Sequence, residues 1–346
     1  MSAGAQAPGW HWAPTTSAIP LLAGSTVSAT VVRGALHVLT PHADGSMVSH
    51  ARLDVDDQLE LLADLPLRSV SGVAARGDAM QVAGARAGDN LPVVCSVAAD
   101  GELTGTIVLP TPAPVAGWPL LVGGEAPRYV VWATGDLLDA TVWLAELNTG
   151  RLLSRAPVLS GTGVLSMRAG SADGAVDVLA YGQELRFARL RRDVVEIDRV
   201  LDMPGSSAGQ LLAGAVLTPA AAHAFRVWQP LNDSVRTLEL PEPPERASSR
   251  AQHLRLIAAP GRPDLLAWQT HLPDDFSIRT DEEDAPRRAH GVSVRGWLAP
   301  FDRTRWELGS SSEVPSSSAP PVIEWVGERL ALVRPAAGIV QVLLSE

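Results

Sequence analysis

The stretch "GWHWAP" at residues 9–14 sets two tryptophans around a histidine near the start of the chain. Two large aromatic rings flanking an imidazole are either a ligand site or a pin that holds a chain segment against a sheet. In an extended strand alternate side chains point to opposite faces. Trp10 and Trp12 therefore share one face and His11 takes the other. What that face covers depends on how the rest of the sequence is organised.

The rest is a repeat. Six segments share one form, an apolar strand, an Asp- or Asn-containing turn and a second strand. They are "LHVLTPHADGSMVSHARL" (36–53), "PVVCSVAADGELTGTIVL" (92–109), "TVWLAELNTGRLLSRAPVL" (141–159), "LRFARLRRDVVEIDRVL" (185–201), "FRVWQPLNDSVRTLEL" (225–240) and "VRGWLAPFDRTRWEL" (294–308). Turns of this kind between strand-like runs mark hairpins. A second hairpin precedes each, as in "SGVAARGDAMQVAG" (71–84), "VLSMRAGSADGAVDVLAYG" (164–182) and "LRLIAAPGRPDLLAWQT" (254–270). One repeat is thus four strands, A to D from the inside outward, each of the six segments being read as a C–D pair. The fifth unit, at 208–240, has a poorly marked A–B hairpin. A seventh unit supplies A (322–327), B (329–334) and C (339–344) but no D.

An unpaired strand edge is a liability in a sheet. Residues 10–13 belong to no other unit and are expected to be the missing D strand. Trp10 and Trp12 would then cover the last sheet, and His11 would face the opposite side or solvent. Four-stranded units spaced by about 40–70 residues resemble the blades of a seven-bladed β-propeller. The resemblance spans nearly the whole chain and implies an all-β ring closed by the N-terminal strand. It extends to no particular family: WD dipeptides at the expected places, kelch double glycines, sialidase-type Asp boxes and the four-histidine iron set of carotenoid-cleaving propellers are all missing. Residues 1–346 read as a single propeller domain, with 271–290 as an inserted loop in blade 6.

Composition narrows the function. The formal net charge is −10, and all 28 cationic residues are Arg. An acidic chain without clustered cations is a poor binder of phosphate backbones, so no nucleic-acid partner is expected. Without Lys there is no Schiff base, Lys general base or P-loop Lys. The one cysteine, Cys95, lies in the apolar run "LPVVCSV" and reads as a buried thiol. The N-terminal stretch lacks the basic and apolar regions of a signal peptide, and no run is long enough to span a membrane. The chain reads as cytoplasmic, with no membrane partner and no cofactor.

Repeat position sorts the aromatics. Trp143, Trp228 and Trp297 fall at one place in strand C, where other units carry Val38 or Leu39, Cys95, Phe187 and Val342. A large apolar residue recurring at one place is packing between sheets. Trp132 and Trp268 align at the end of strand B, with Tyr181 nearby, and there they either pack or stack on a ligand at the channel mouth. The inner strands carry Arg168, His253, Arg255 and Glu324. Charged groups on apolar strands need water or partners, and a water-filled channel supplies the first. The alternative is an anion pocket with Arg168 and Arg255 as the grip and Glu324 or His253 as acid or base.

Residues 271–290, "HLPDDFSIRTDEEDAPRRAH", interrupt the sixth unit between B and C. Bracketed by His271 and His290, they read as a solvated loop, a lid or a carboxylate-rich cation site outside the EF-hand pattern. Asp136 and Asp139 share that rim. No protein metal centre is expected elsewhere. Two functions remain open. One is a non-catalytic platform that binds a protein partner or small ligand at the channel mouth. The other is a hydrolase, lyase or cyclase acting on a small anionic or aromatic substrate in the channel. A secreted lectin fits less well.

Overall fold

The computed structural model describes residues 10–15, 19–20, 26–42, 44–54, 56–123, 128–136, 139–148, 151–162, 164, 166–172, 174–182, 184–191, 194–201, 209–241, 250–272, 293–315, 320–336 and 339–346. Every element in them is a strand. The first two, β1 (Trp12–Pro14) and β2 (Ile19–Pro20), belong to the last sheet. Blade 1 is β3 (Ser28–Val32), β4 (Ala35–Pro41), β5 (Val48–Leu53) and β6 (Leu59–Leu65). Blade 2 is β7 (Leu67–Arg76), β8 (Ala79–Arg86), β9 (Pro92–Ala98) and β10 (Leu103–Val108). Blade 3 is β11 (Val115–Val122), β12 (Tyr129–Gly135), β13 (Ala140–Asn148) and β14 (Arg151–Thr162). Blade 4 is β15 (Ser166–Ala172), β16 (Ala175–Tyr181), β17 (Leu185–Arg191) and β18 (Val194–Leu201). Blade 5 is β19 (Gln210–Leu212), β20 (Ala215–Ala221), β21 (Ala224–Gln229) and β22 (Ser234–Glu239). Blade 6 is β23 (Arg250–Ile257), β24 (Leu265–Leu272), β25 (Ser293–Asp302), β26 (Glu307–Leu308) and β27 (Ser312–Val314). Blade 7 is β28 (Val322–Val326), β29 (Arg329–Ala336) and β30 (Ile339–Ser345), completed by β1 and β2. The result is a seven-bladed β-propeller of antiparallel meanders.

The closing strand forms as its sequence implies, displaced by one or two residues. Trp12 pairs with Ser345, Ala13 with Leu344 and Pro14 with Leu343, while Ile19 and Pro20 rejoin β30 at Val340 and Ile339. The paired segment is therefore 12–14, not 10–13. Trp10 and Trp12 pack on the cluster that joins blades 6 and 7, and Trp10 meets Trp325 edge-on at 6.3 Å. His11 is exposed.

Why the middle strands of each blade read as continuous apolar runs follows from the packing. Seven apolar clusters of described residues each straddle one pair of neighbouring blades. On β12, Val130 and Trp132 face blade 2 while Val131 and Ala133 face blade 4. Both faces are buried, so both must be apolar. Cys95 lies in one such cluster, and burial pushes its thiol above the ordinary range.

Two assignments change, and a third, poorly marked hairpin is explained. The hairpin at 36–53 is strands B and C of blade 1, not C and D, which places Val38 and Leu39 on strand B. Its D strand is β6. In blade 6 the outer strand is broken: β26 pairs with β25 only at Phe301 and Asp302, and β27 takes over at residues 296–298. Part of the stretch 310–321, which reads as a connection, is thus a strand. The poorly marked hairpin of blade 5 turns through Ala213 and Gly214, both at positive φ (48° and 76°), so an alanine stands where an Asn or Gly would advertise the turn.

Blade 1 buries two histidines. His37 Nδ1 and His50 Nε2 are 2.8 Å apart, on side chains with 1% and 0% exposure. Burial pushes both down to about 4, with the positive Arg52 guanidinium adding to the effect. Each folded value lies below the unfolded one near 6.5, so the unfolded chain binds more protons between the two. Stability is full above pH 6.5, declines as pH falls and levels off below about 4. The loss is of order 3 kcal/mol per histidine. Urea midpoints measured from pH 7.5 to 4 check this, and a His37→Phe/His50→Leu double variant should flatten the decline.

Candidate functional site

Each blade begins with an inner strand and ends, after three reversals, on the rim where the next begins. The inner strands β3, β7, β11, β15, β19, β23 and β28 consequently run the same way around the channel. A cavity of about 520 Å3 lies near the end where they start. Arg168, Gln210, His253 and Arg255 line it, from blades 4, 5 and 6, with Ser71 of blade 2 reaching it from across the channel. Three of the polar residues singled out in the sequence thus share one space.

A bulge in β23 makes this arrangement. Its register with β24 jumps between Gln252 and Arg255. Bulges re-aim side chains beside functional sites. Here His253 takes a left-handed backbone, φ 55°, and its side chain is exposed at the cavity. The Leu254 N–H, freed from the ladder, donates to Gln210 Oε1 at 3.0 Å across the blade seam. A non-glycine residue in this conformation costs about 1–2 kcal/mol. His253→Gly should therefore leave stability unchanged or raise it by up to about 1 kcal/mol, the gain being offset by the added freedom of the unfolded chain. Chemical denaturation of the pair checks this.

The charges are unequally committed. Arg255 Nη2 donates to Glu324 Oε1 on the neighbouring inner strand β28. Burial raises the Glu324 carboxyl above its usual range, and Arg255 opposes the rise. Arg168 donates to the carbonyl of Met167 at 2.9 Å and has no carboxylate partner among the described residues. The cavity therefore contains one guanidinium whose charge is unspent, one balanced by a carboxylate, and an imidazole. This geometry suits an anionic group approaching Arg168.

The other nominated residues separate. Trp132 is not at the end of a strand but in the middle of β12, wholly buried, with Nε1 donating to the Pro110 carbonyl at 3.0 Å. It stacks on its cross-strand partner Trp143 at 6.5 Å. Trp268 likewise sits mid-strand in β24, stacked on Trp297 at 6.5 Å, although both Trp268 and Trp297 reach the cavity wall. Neither Trp132 nor Trp268 stands on the rim as an exposed stacking surface. Tyr181 ends β16 and is half-buried against the seam between blades 4 and 5. Asp136 is exposed in the loop after β12 and accepts from the Asp139 N–H at 2.7 Å. His271 pairs through its backbone with Arg250 and Val294. Residues 273–292, which include most of the inserted acidic loop, lie outside the described residues.

Trp118 was not legible as a site residue. It stands on inner strand β11, 38% exposed, between two register shifts at Gly117 and Leu120. Its exposed ring sits on the innermost strand of blade 3 and does not line the cavity. The signal available was "VAGWPLLV", an apolar run that reads as core. A larger recess, about 720 Å3, opens beside the C–D turn of blade 6. It is a surface groove whose guanidinium, Arg303, is already held by Asp264, and it lacks the convergence of strands found at the channel.

No protein-family model and no curated protein matches the chain. Solved structures do match over nearly the full length. The WD40 β-propeller domain of Doa1 has a TM-score of 0.55 at 10% identity, covering 96% of this chain and 97% of that one. A chain of the mitotic checkpoint complex gives 0.56 at 8% identity, covering 99% and 96%. BBS1N, from its complex with ARL6DN, gives 0.56 at 11% identity, covering 96% and 98%. At these identities the likeness is one of fold.

Proposed function

We propose that the protein is a non-catalytic propeller platform whose channel mouth receives an anionic group, a carboxylate or phosphate, borne by a small ligand or a partner protein. The observation that carries this reading is the meeting of Arg168, His253 and Arg255 in one cavity. A rigid ring with residues from several blades at one mouth is suited to gripping a ligand without moving. Two of the similar propellers come from protein assemblies, which is consistent with a platform and says nothing about the partner.

A second reading, an enzyme in the channel, has one observation in its favour. Glu324 has a raised proton affinity next to the cavity, as a general acid requires. Its bond to Arg255 speaks against it, since a carboxylate held as an ion pair is a poor acid.

Thermal denaturation in acetate or phosphate against chloride at equal ionic strength tests the platform. The anions should raise Tm by roughly 2 °C near saturation. Arg168→Ala should abolish the rise and leave Tm in chloride unchanged, because Arg168 is exposed. An equal rise in the variant would show that the anions act elsewhere.

A further inference from the structure

The cavity is larger and less polar than an anion alone requires. A bare carboxylate or phosphate occupies a small part of 520 Å3. Beyond the cations and four neutral polar groups (Thr26, Ser71, Gln210 and Gln269) the wall is apolar, with Leu211 from blade 5, Leu254 and Trp297 from blade 6, and Pro321 and Ile323 from blade 7. Pockets of several hundred Å3 with mainly apolar walls and a few placed polar groups are the usual form of sites for organic ligands.

We propose that the channel mouth binds an amphiphilic organic anion: a carboxylate that meets Arg168 and carries an apolar body lying along the seam of blades 6 and 7. The proposal rests on the anion reading above and adds what the remainder of the ligand must be. The cavity runs from Arg168 on blade 4 to apolar residues of blades 6 and 7. Arg168 and His253 approach from the side of blades 4 and 6, whereas Pro321 and Ile323 extend the wall into blade 7. A head group alone would leave that wall in water. Each methylene laid against it is worth about threefold to fourfold in affinity.

The test is calorimetric titration of the intact protein with acetate, butyrate, hexanoate, benzoate and inorganic phosphate. Affinity should climb from acetate to hexanoate by at least tenfold, benzoate should exceed acetate, and phosphate should bind no better than acetate. Arg168→Ala should weaken every carboxylate about tenfold. Pro321→Ser, on the blade 7 side of that seam, should lower hexanoate affinity and leave acetate unchanged; the wild-type series decides the matter alone if that variant does not fold. A flat series, with acetate, hexanoate and phosphate alike, overturns the amphiphile and leaves the anion site standing. Binding by none of the five overturns both. Chain-length dependence that survives unchanged in Arg168→Ala places the apolar binding elsewhere and also overturns the proposal.

Discussion

A chain lacking residues 1–20 is expected to fail to fold as a soluble monomer. The deletion removes β1 and β2 and so uncovers the edge of β30, which in the intact ring pairs with residues 12–14 and 19–20 and whose Val342 carbonyl accepts from the Thr15 N–H. It also strips Trp10 and Trp12 from the seam of blades 6 and 7. Partial burial of two tryptophans, with the lost ladder, amounts to roughly 5 kcal/mol, against a typical total of about 5–15. An apolar seam beside an open strand edge invites aggregation. The same geometry supplies the rescue. The Glu346 N–H donates to the His11 carbonyl at 2.9 Å, so the last strand and the closing strand meet as the two arms of a hairpin would. Moving residues 9–20 to follow Glu346 through a short Asn-Gly turn should restore solubility and a cooperative melt. If the truncated chain melts like the intact one, the strand is not what closes the ring.

The second large effect belongs to a buried ion pair in blade 4. Arg189 and Asp177 face each other on β17 and β16 with exposures of 0% and 1%, their nearest charged atoms 3.6 Å apart. Arg189 Nη2 also donates to the Ala172 carbonyl at 3.0 Å. Removing one charge from such a pair leaves the other in a medium that cannot solvate it, which costs about 3–5 kcal/mol. Arg189→Met should therefore lower the urea midpoint severely. Asp177→Leu with Arg189→Met should recover most of the loss, because two apolar residues of similar size are tolerated where one charge is not. A double variant no better than the single would mean that the hydrogen bond to Ala172, rather than charge balance, is what matters.

Much of the ring could be read from turn chemistry. Asp-Gly and Asn-containing turns recur where the backbone needs positive φ, and between them the strands carry apolar residues toward both neighbouring blades. The same signal misled in blade 1. Its B–C turn, "PHADGS", carries the Asp-Gly pair that elsewhere marks C–D, while its true C–D turn uses Asp57 at φ 59°. Trp132 was misplaced for a related reason. In sequence the strand reads as ending near it, yet the ladder continues to Gly135 opposite Ala140, which puts the ring in mid-sheet. The charges on the inner strands were legible because Arg and His are out of place in apolar runs. Their convergence was not, because the bulge at His253 depends on the Gln210 bond from another blade. Trp118 escaped because an exposed ring and a ring buried in a seam look the same in sequence.

The pairing of Trp12 with Ser345 also fixes an order of events during synthesis. Of the strands in the ring, β1 is made first and has no partner until the last, β30, has been made. Blades 1 to 6 can assemble in sequence while it waits, and the contact that locks the ring spans all seven blades. Such contacts form slowly, and the early-made tryptophans stay exposed to other proteins meanwhile. Ring locking should thus follow the emergence of β30, and a stalled nascent chain ending before β30 should remain sensitive to protease at Trp10 and Trp12.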